Sequence, residues 1–197
     1  VIKPGVKVWP AKSVESGVIL QDSLIWGDKI SRTIFGQDGI RGEVNRSLTP
    51  EMASRLGAVY GSLDGREVVL VSSDRHPPCL MIKQALISGL LSAGAAVLDA
   101  GELISPIARR AICLLKVQGG VHVSASEEGG NNLRIRFWDQ AGLPLTRSQE
   151  RKIEQLYFRE DFNRPPGGEV GEALSLPDLA QLYLREILRN VSVDKIA

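Results

Sequence analysis

The 197-residue chain has room for one ordinary domain and an appendage, and a hydrophobic share of 43% supplies a core. Charged residues make up 24% with a net charge of +1, and Lys and Arg are scattered among Asp and Glu, so the basic stripe of a nucleic-acid binder is missing. No apolar run approaches bilayer length and no secretory pattern opens the chain, so no membrane partner is expected. Cys79 and Cys113 stand far apart in no CxxC, which reads as two small buried residues in a reducing, cytoplasmic compartment.

The first residues repeat in sixes. Ile2, Val8, Val14 and Leu20 are the aliphatic first places of successive hexads, and Gly5, Ala11, Gly17 and Ser23 are the small fourth places. A parallel β-helix needs this pattern: an aliphatic residue fills the interior of each face, and a small residue permits the corner. One coil cannot bury its own face without stacked neighbours. Residues 1–27 are therefore expected to close a left-handed hexapeptide β-helix that begins upstream, the more so as the chain opens in mid-pattern at Val1. The segments Val6-Lys7-Val8-Trp9-Pro10 and Ser23-Leu24-Ile25-Trp26-Gly27 are similar to the β-helix tail of mannose-1-phosphate guanylyltransferase-like sugar nucleotidyltransferases.

From about residue 31, Gly-rich turns separate apolar strands from helical periods. Thr49-Pro50-Glu51 opens a helix running to about Ser62: a capping hydroxyl, Pro in the first turn and an acid at the positive end of the dipole. Glu67 to Ser72 is a continuous apolar strand of the kind buried on both faces. A helix over Leu80–Ala93 stops at Gly94. The strand Ala96–Asp99, a helix from Ser105-Pro106 and the strand Gly120–Ser124 follow. The strand Leu133–Trp138 alternates apolar and basic residues, which places it near a sheet edge with one wet face. Thr146 to Gln149 is a capping box before a helix through Phe158. Residues 159–174 form a Pro/Gly-rich connector. A last helix over 177–190 presents Leu179, Leu182, Tyr183 and Ile187 along one face.

Alternating strands and helices predict an α/β layered domain with a mostly parallel mixed sheet flanked by helices, preceded by the β-helix fragment. The expected domains are 1–27, 31–174, and 175–197 as a helix and linker towards a further domain. Ligands of such sheets sit beyond the carboxyl ends of the strands, so the loops after Ser72, Asp99 and Ser124 are the informative ones. Neither GxGxxG nor GxxxxGK[ST] occurs, which argues against a dinucleotide or P-loop nucleotide site.

The sequence does contain Phe35-Gly36-Gln37-Asp38-Gly39-Ile40-Arg41-Gly42. It continues through Leu48-Thr49-Pro50-Glu51, Asp74, Ala85-Leu86, Gly89-Leu90, Gly101, Ser105-Pro106, Gly119-Gly120-Val121 and Ser124-Ala125-Ser126. This ordered series, over residues 34 to about 160, resembles the first domain of the α-D-phosphohexomutase family. That resemblance implies transfer of a phosphoryl group between carbon 1 and carbon 6 of a hexose by a phosphoserine, with magnesium and a hexose 1,6-bisphosphate as activator. Ser126 falls at the serine's position, which also makes it one magnesium ligand. Arg41, Asp74 and Arg75 fall in the phosphate-binding loops. The remaining metal ligands belong to an aspartate cluster of the second domain, so this chain alone is not expected to turn over substrate.

Several positions depart from the family pattern. The family's threonine-alanine-serine-histidine-asparagine-proline loop becomes Ser124-Ala125-Ser126-Glu127-Glu128-Gly129, with acids in place of His and Asn. At about 6 Å and an effective dielectric near 20, each carboxylate would oppose every unit of phosphoserine charge by roughly 3 kcal/mol. The family's glycine-arginine-aspartate-threonine-arginine loop becomes Ser72-Ser73-Asp74-Arg75-His76. Structural alternatives stand beside each role. Ser126 can be an ordinary loop serine, and Arg41 can pair with Asp38 or Glu43. Asp38 and Asp74 can organise loops by side-chain hydrogen bonds. His122 reads as a packed strand residue, His76 as an exposed loop residue, and Phe137 and Trp138 as core.

The leading expectation is the phosphoserine domain of a phosphomannomutase- or phosphoglucomutase-like enzyme, fused behind a guanylyltransferase-like protein that consumes the sugar 1-phosphate. The expected partners are a phosphosugar and the remaining domains of the same protein; self-association into a homo-oligomer stays open. The rival expectation is a catalytically degenerate mutase domain kept as a regulatory or structural module.

Overall fold

The apolar runs of the middle of the chain become the central strands of a mixed sheet. The architecture comes from a computed structural model that describes residues 4, 7, 13–14, 29–30, 33–63, 67–126, 131–176 and 178–190. Two short strands, β1 (Ser13–Val14) and β2 (Lys29–Ile30), pair in parallel. Most of the hexads lie outside the described residues. The main unit follows as β3 (Ile40–Glu43), α1 (Pro50–Gly61), β4 (Val68–Ser73), α2 (Pro77–Ser92), β5 (Ala96–Glu102), α3 (Ser105–Leu115), β6 (Gly119–Ala125), β7 (Asn132–Asp139), α4 (Arg147–Arg159), β8 (Ala173–Ser175) and α5 (Leu179–Asn190).

The sheet order is β3-β7-β6-β4-β5-β8. β6, β4, β5 and β8 run parallel to one another, while β3 and β7 pair antiparallel. The expected mixed, mostly parallel sheet is present. The apolar and basic strand β7 lies one place in from the edge, because β3 covers it. β3 went unexpected: three of its four residues, Ile40 to Gly42, belong to the Gly-rich motif, which carries no strand pattern of its own. β8 hides in the Pro/Gly-rich connector, with all its side chains exposed, so no apolar signal marks it.

Helices cover both faces. Val69, Val71, Val97, Val121, Val123 and Ile135 pack against Leu56, Tyr60, Ile82, Leu86, Leu90 and Ile153 from α1, α2 and α4. On the other face Leu70 and Trp138 meet Ala108 and Ile112 of α3 and Leu179 of α5. On α5, Leu179 is buried but Leu182 and Ile187 are 47% and 39% exposed, so the expected apolar stripe is only partly covered. α2 begins earlier than expected, at Pro77, since Pro is tolerated at the first helical positions, where the backbone N–H has no helical acceptor. The expected caps form: Thr49 accepts from the Met52 N–H, and Thr146 and Gln149 make a reciprocal box.

Two details of packing fix the site's frame. α1 and α2 approach so closely that a Cβ on Gly57 would stand 2.2 Å from Leu86 O, and one on Gly89 would stand 1.9 Å from Ser54 O. Buried Tyr60 on α1 donates its hydroxyl to Trp138 O at 2.7 Å, which ties this helix pair to β7.

Candidate functional site

Because β4, β5 and β6 are parallel, their carboxyl ends share one edge of the sheet. β6 delivers Ser126 to that edge, 8% exposed, with its N–H donating to Asn132 O at 2.8 Å. Glu127 and Glu128 lie outside the described residues.

The pairing register sets what surrounds the serine. Arg41 on β3 is opposite Arg134 on β7, and Arg134 is opposite Ser124 on β6. Directly opposed residues of antiparallel strands share a face, so these form one row across the sheet. Arg136 on β7 is two residues further along that face. The turn before β3 folds Asp38 over the row. Its carboxylate accepts from Arg134 Nη1 at 2.9 Å and from Arg136 Nη2 at 2.8 Å. The Arg136 hydrogen bond, with the charges of Arg136, Arg134 and Arg41 behind it, holds the Asp38 carboxyl below the usual carboxylate range. Arg136 also donates to Ser124 Oγ at 3.1 Å. Arg134 is buried, and its Nε has no acceptor among the described residues.

Other elements pin the turn that carries Asp38. Gly39 has φ of +87°, and a Cβ there would stand 2.3 Å from Ile135 O, so only glycine lets the turn lie on β7. Glu154 on α4 accepts from the Ile34 and Phe35 N–H groups at 2.7 and 3.0 Å. A cavity of about 160 Å³ opens beside the turn between Phe35, Gln37, Asp38, Arg136, Arg147 and Glu150.

Of the residues expected from sequence, Ser126, Arg41 and Asp74 gather at this edge. Asp74 follows β4 and accepts the Ala125 N–H at 3.1 Å, next to Ser126. Arg75, 90% exposed, leans to β5, with Nε 3.5 Å from Glu102 Oε2. Arg41 does not engage Asp38 as a first partner; Arg134 and Arg136 do, while Glu43 pairs with Arg46. His76 is the half-buried residue preceding α2 rather than an exposed loop residue. Cys79 is buried, and burial pushes its thiol up to about 12; Cys113 is half-buried with Sγ 3.2 Å from Ala141 O. His122 is buried as expected, with Nδ1 2.9 Å from Ser72 Oγ, Nε2 3.3 Å from Asp74 Oδ1, and its ring stacked on Trp138. Sequence reading missed Arg134, Arg136 and Glu154. The basic alternation of β7 is the available signal for the first two, but in sequence it reads as a wet face.

Comparison with known proteins agrees with this geometry. Residues 32–164 match the family described as "Phosphoglucomutase/phosphomannomutase, alpha/beta/alpha domain I". The chain is 35% identical over 161 residues to a probable phosphoglucosamine mutase of Pyrococcus abyssi, covering 81% of this chain and 35% of that protein. It is 36% identical over 168 residues to a phosphoglucomutase/phosphomannomutase of Thermococcus kodakarensis, covering 83% of this chain and 37% of that one. Among solved structures, a putative phosphomannomutase from Thermus thermophilus superposes with a TM-score of 0.71 at 26% identity, over 83% of this chain and 37% of that one. The chain thus spans a little over a third of the length of these relatives. On this agreement of sequence, fold and match, the chain belongs to the phosphoglucomutase/phosphomannomutase family, and residues 32–164 are its α/β/α domain I.

Proposed function

We propose that this chain supplies the phosphoryl-carrying serine of a hexose-phosphate mutase, with Ser126 as carrier and Arg41 among the groups that bind the phosphoryl oxygens. The reading rests on one observation. Ser126 directly follows β6, two residues beyond Ser124, which lies opposite the row of Arg134 and Arg41, and buried Arg134 keeps an unspent Nε donor among the described residues. Such donors suit an anion rather than a cation. The relatives' names span glucosamine, glucose and mannose phosphates, which supports a hexose phosphate as the substrate class.

The transfer balances as follows. A sugar hydroxyl oxygen bonds to the phosphorus of phosphoserine while the bond from phosphorus to Ser126 Oγ breaks. The hydroxyl proton passes to a base, and the serine oxygen regains a phosphoryl group from the other end of the sugar bisphosphate. Preorganised guanidinium donors stabilise the spread charge of such a transition state. Magnesium, when bound, supplies further neutralisation in the family. Among the described residues no group of three or more His, Cys, Asp or Glu could hold a metal.

Further parts of the reading rest on sequence. The hexads support residues 1–27 as the end of a hexapeptide β-helix from a nucleotidyltransferase-like unit, and β1 within them pairs in parallel with β2 just beyond. Residues 31–174 are then the mutase domain and 175–197 the way into the next one. Free Cys79 and Cys113 suit a cytoplasmic location, and no described helix is long and apolar enough to cross a membrane.

The test is intact mass with peptide mapping of the full-length protein after incubation with a hexose 1,6-bisphosphate and magnesium. One phosphoryl group on the Ser126 peptide, absent in Ser126→Ala, is the expected result. The acidic pair Glu127-Glu128 favours a second reading, a domain that binds phosphosugar without carrying the phosphoryl group. Bound sugar phosphate with an unmodified Ser126 would establish that second reading instead.

A further inference from the structure

His122 has no place in the chemistry above, yet it is fully buried, with Ser72 bonded to one ring nitrogen and the Asp74 carboxylate facing the other. A buried imidazole is costly unless its nitrogens are used, and an aliphatic residue would fill the same space. Its use follows from the end of the β4–β6 ladder. The Asp74 N–H donates to Val123 O at 2.9 Å, as a parallel ladder requires. The next bond of that ladder would run from the Ala125 N–H to the Asp74 carbonyl. That carbonyl has turned away to accept the His76 N–H at 2.8 Å. The Asp74 carboxylate takes the vacated place, with Oδ2 3.1 Å from Ala125 N. Its other oxygen, Oδ1, faces His122 Nε2 at 3.3 Å, off the line of a hydrogen bond, and His122 Nδ1 is anchored 2.9 Å from Ser72 Oγ.

We propose that His122 is a positioning residue for the Ser126 loop: the ring, anchored by Ser72, holds the Asp74 carboxylate on the Ala125 N–H and so fixes the backbone that presents Ser126. A carboxylate can only accept, so Nε2 carries the ring proton and Nδ1 accepts from the Ser72 hydroxyl. Trp138 stacks on the ring at 5.8 Å between centroids and keeps it from rotating. Ser72 and His122 are fully buried and cannot meet a substrate; their output is the backbone geometry at Ala125 and Ser126.

The role in catalysis rests on Ser126 being the phosphoryl carrier; the structural part does not. Nitrogen NMR of the full-length protein should show His122 neutral with the proton on Nε2. In His122→Leu, amide exchange at Ala125 should quicken at least tenfold while amides of α1 keep their wild-type rates. His122→Gln, whose amide N–H reaches towards Asp74, should restore most of the protection. The saturating rate of Ser126 phosphorylation should fall and recover in step, with the half-saturating bisphosphate concentration little changed. Unchanged Ala125 exchange in His122→Leu, or equal exchange in the Leu and Gln variants, would overturn the proposal. If His122→Leu does not fold, Ser72→Ala removes the anchor with little loss of volume, and an undisturbed Ala125 amide there overturns it equally. A wild-type Ser126 that takes no phosphoryl group refutes the carrier reading, while the tautomer and exchange results still decide the role of His122.

Discussion

Asp74 Oδ2 accepts the Ala125 N–H at 3.1 Å, so a side chain completes a ladder that the backbone of Asp74 has left. The substitution lets β4 turn into α2 while keeping the exposed Ala125 N–H bonded one residue before Ser126. Asp74→Ala should therefore cost about 0.5–1.5 kcal/mol, the net worth of a hydrogen bond whose donor water can reach. Asp74→Asn keeps an acceptor and should cost less. Urea unfolding of both variants checks this; equal losses would mean the hydrogen bond contributes little.

Asp38 is the second carboxylate whose absence should be felt, and its effect depends on pH. Its carboxyl is held below the usual range, first by the Arg136 hydrogen bond. A group with a lowered folded pKa contributes stability above its unfolded value, near 3.8 for this residue, and loses it as pH falls through the folded value. Asp38→Asn should cost about 1 kcal/mol at neutral pH, because buried Arg134 and half-buried Arg136 lose a charged acceptor that is itself 43% exposed and screened by water. The difference from wild type should shrink only below about pH 4. Parallel denaturation curves at pH 7 and pH 3 read this directly, and a constant difference would contradict it.

The α1–α2 contact sets two effects of opposite sign against each other. Ala is worth about 1 kcal/mol more than Gly inside a helix. At Gly89 the added methyl would sit 1.9 Å from Ser54 O, a backbone atom that cannot swing aside. Overpacking of that kind costs roughly 1–3 kcal/mol or more and should win. Gly89→Ala is expected to lower Tm, while Gly168→Ala, with nothing within 4 Å of its new Cβ, should leave Tm within a degree or two. A Gly89→Ala protein as stable as wild type would show that the helices can slide apart.

Much of this scaffold was legible in the sequence because strong local signals and tertiary demands agreed. The continuous apolar run became β4, the strand expected at Gly120–Ser124 became β6, and Thr49 and Thr146 capped the helices they announced. The motif from Phe35 to Gly42 led to the right family. What escaped were features set by contacts distant in sequence. β3 is a strand because β7 accepts it, and Glu154 finds Ile34 and Phe35 across 120 and 119 residues. The basic residues of β7 look like a solvent face in one dimension. In three dimensions Asp38 covers them, and Arg134 is buried. His122 reads as packing because nothing local announces that Ser72 and Asp74 flank it.

Buried Lys83 and half-buried Asp99 form a pair that should respond asymmetrically. Lys83 is 3% exposed on α2, and its Nζ lies 2.7 Å from Asp99 Oδ1 on β5; Asp99 also accepts the Gly101 N–H at 2.9 Å. Asp99→Ala strands a buried ammonium and should cost about 3–5 kcal/mol. Lys83→Met removes the charge that needs a partner and leaves a half-buried carboxylate with its Gly101 bond, so the loss should be smaller by at least about 1 kcal/mol. Denaturant midpoints of the two variants and of the double variant test this, and equal single losses would refute the asymmetry.

His122 predicts how stability responds to mild acid. Ser72, Asp74, Arg136 and Trp138 face the ring. Burial, helped by Arg136, lowers its pKa below 6.5, against the opposing pull of Asp74. The unfolded chain therefore takes up a proton near pH 6.5 that the folded chain resists. Stability from this group is complete above that value and is lost as pH falls towards and through the folded pKa, with a slope of up to about 1.4 kcal/mol per pH unit. Titrating the urea midpoint from pH 8 to pH 5 should give a steeper decline for wild type than for His122→Gln, which has no proton to take up. His76 is present in both proteins and cancels in the comparison. Identical slopes would mean that the folded protein accommodates the His122 proton as easily as the unfolded chain does.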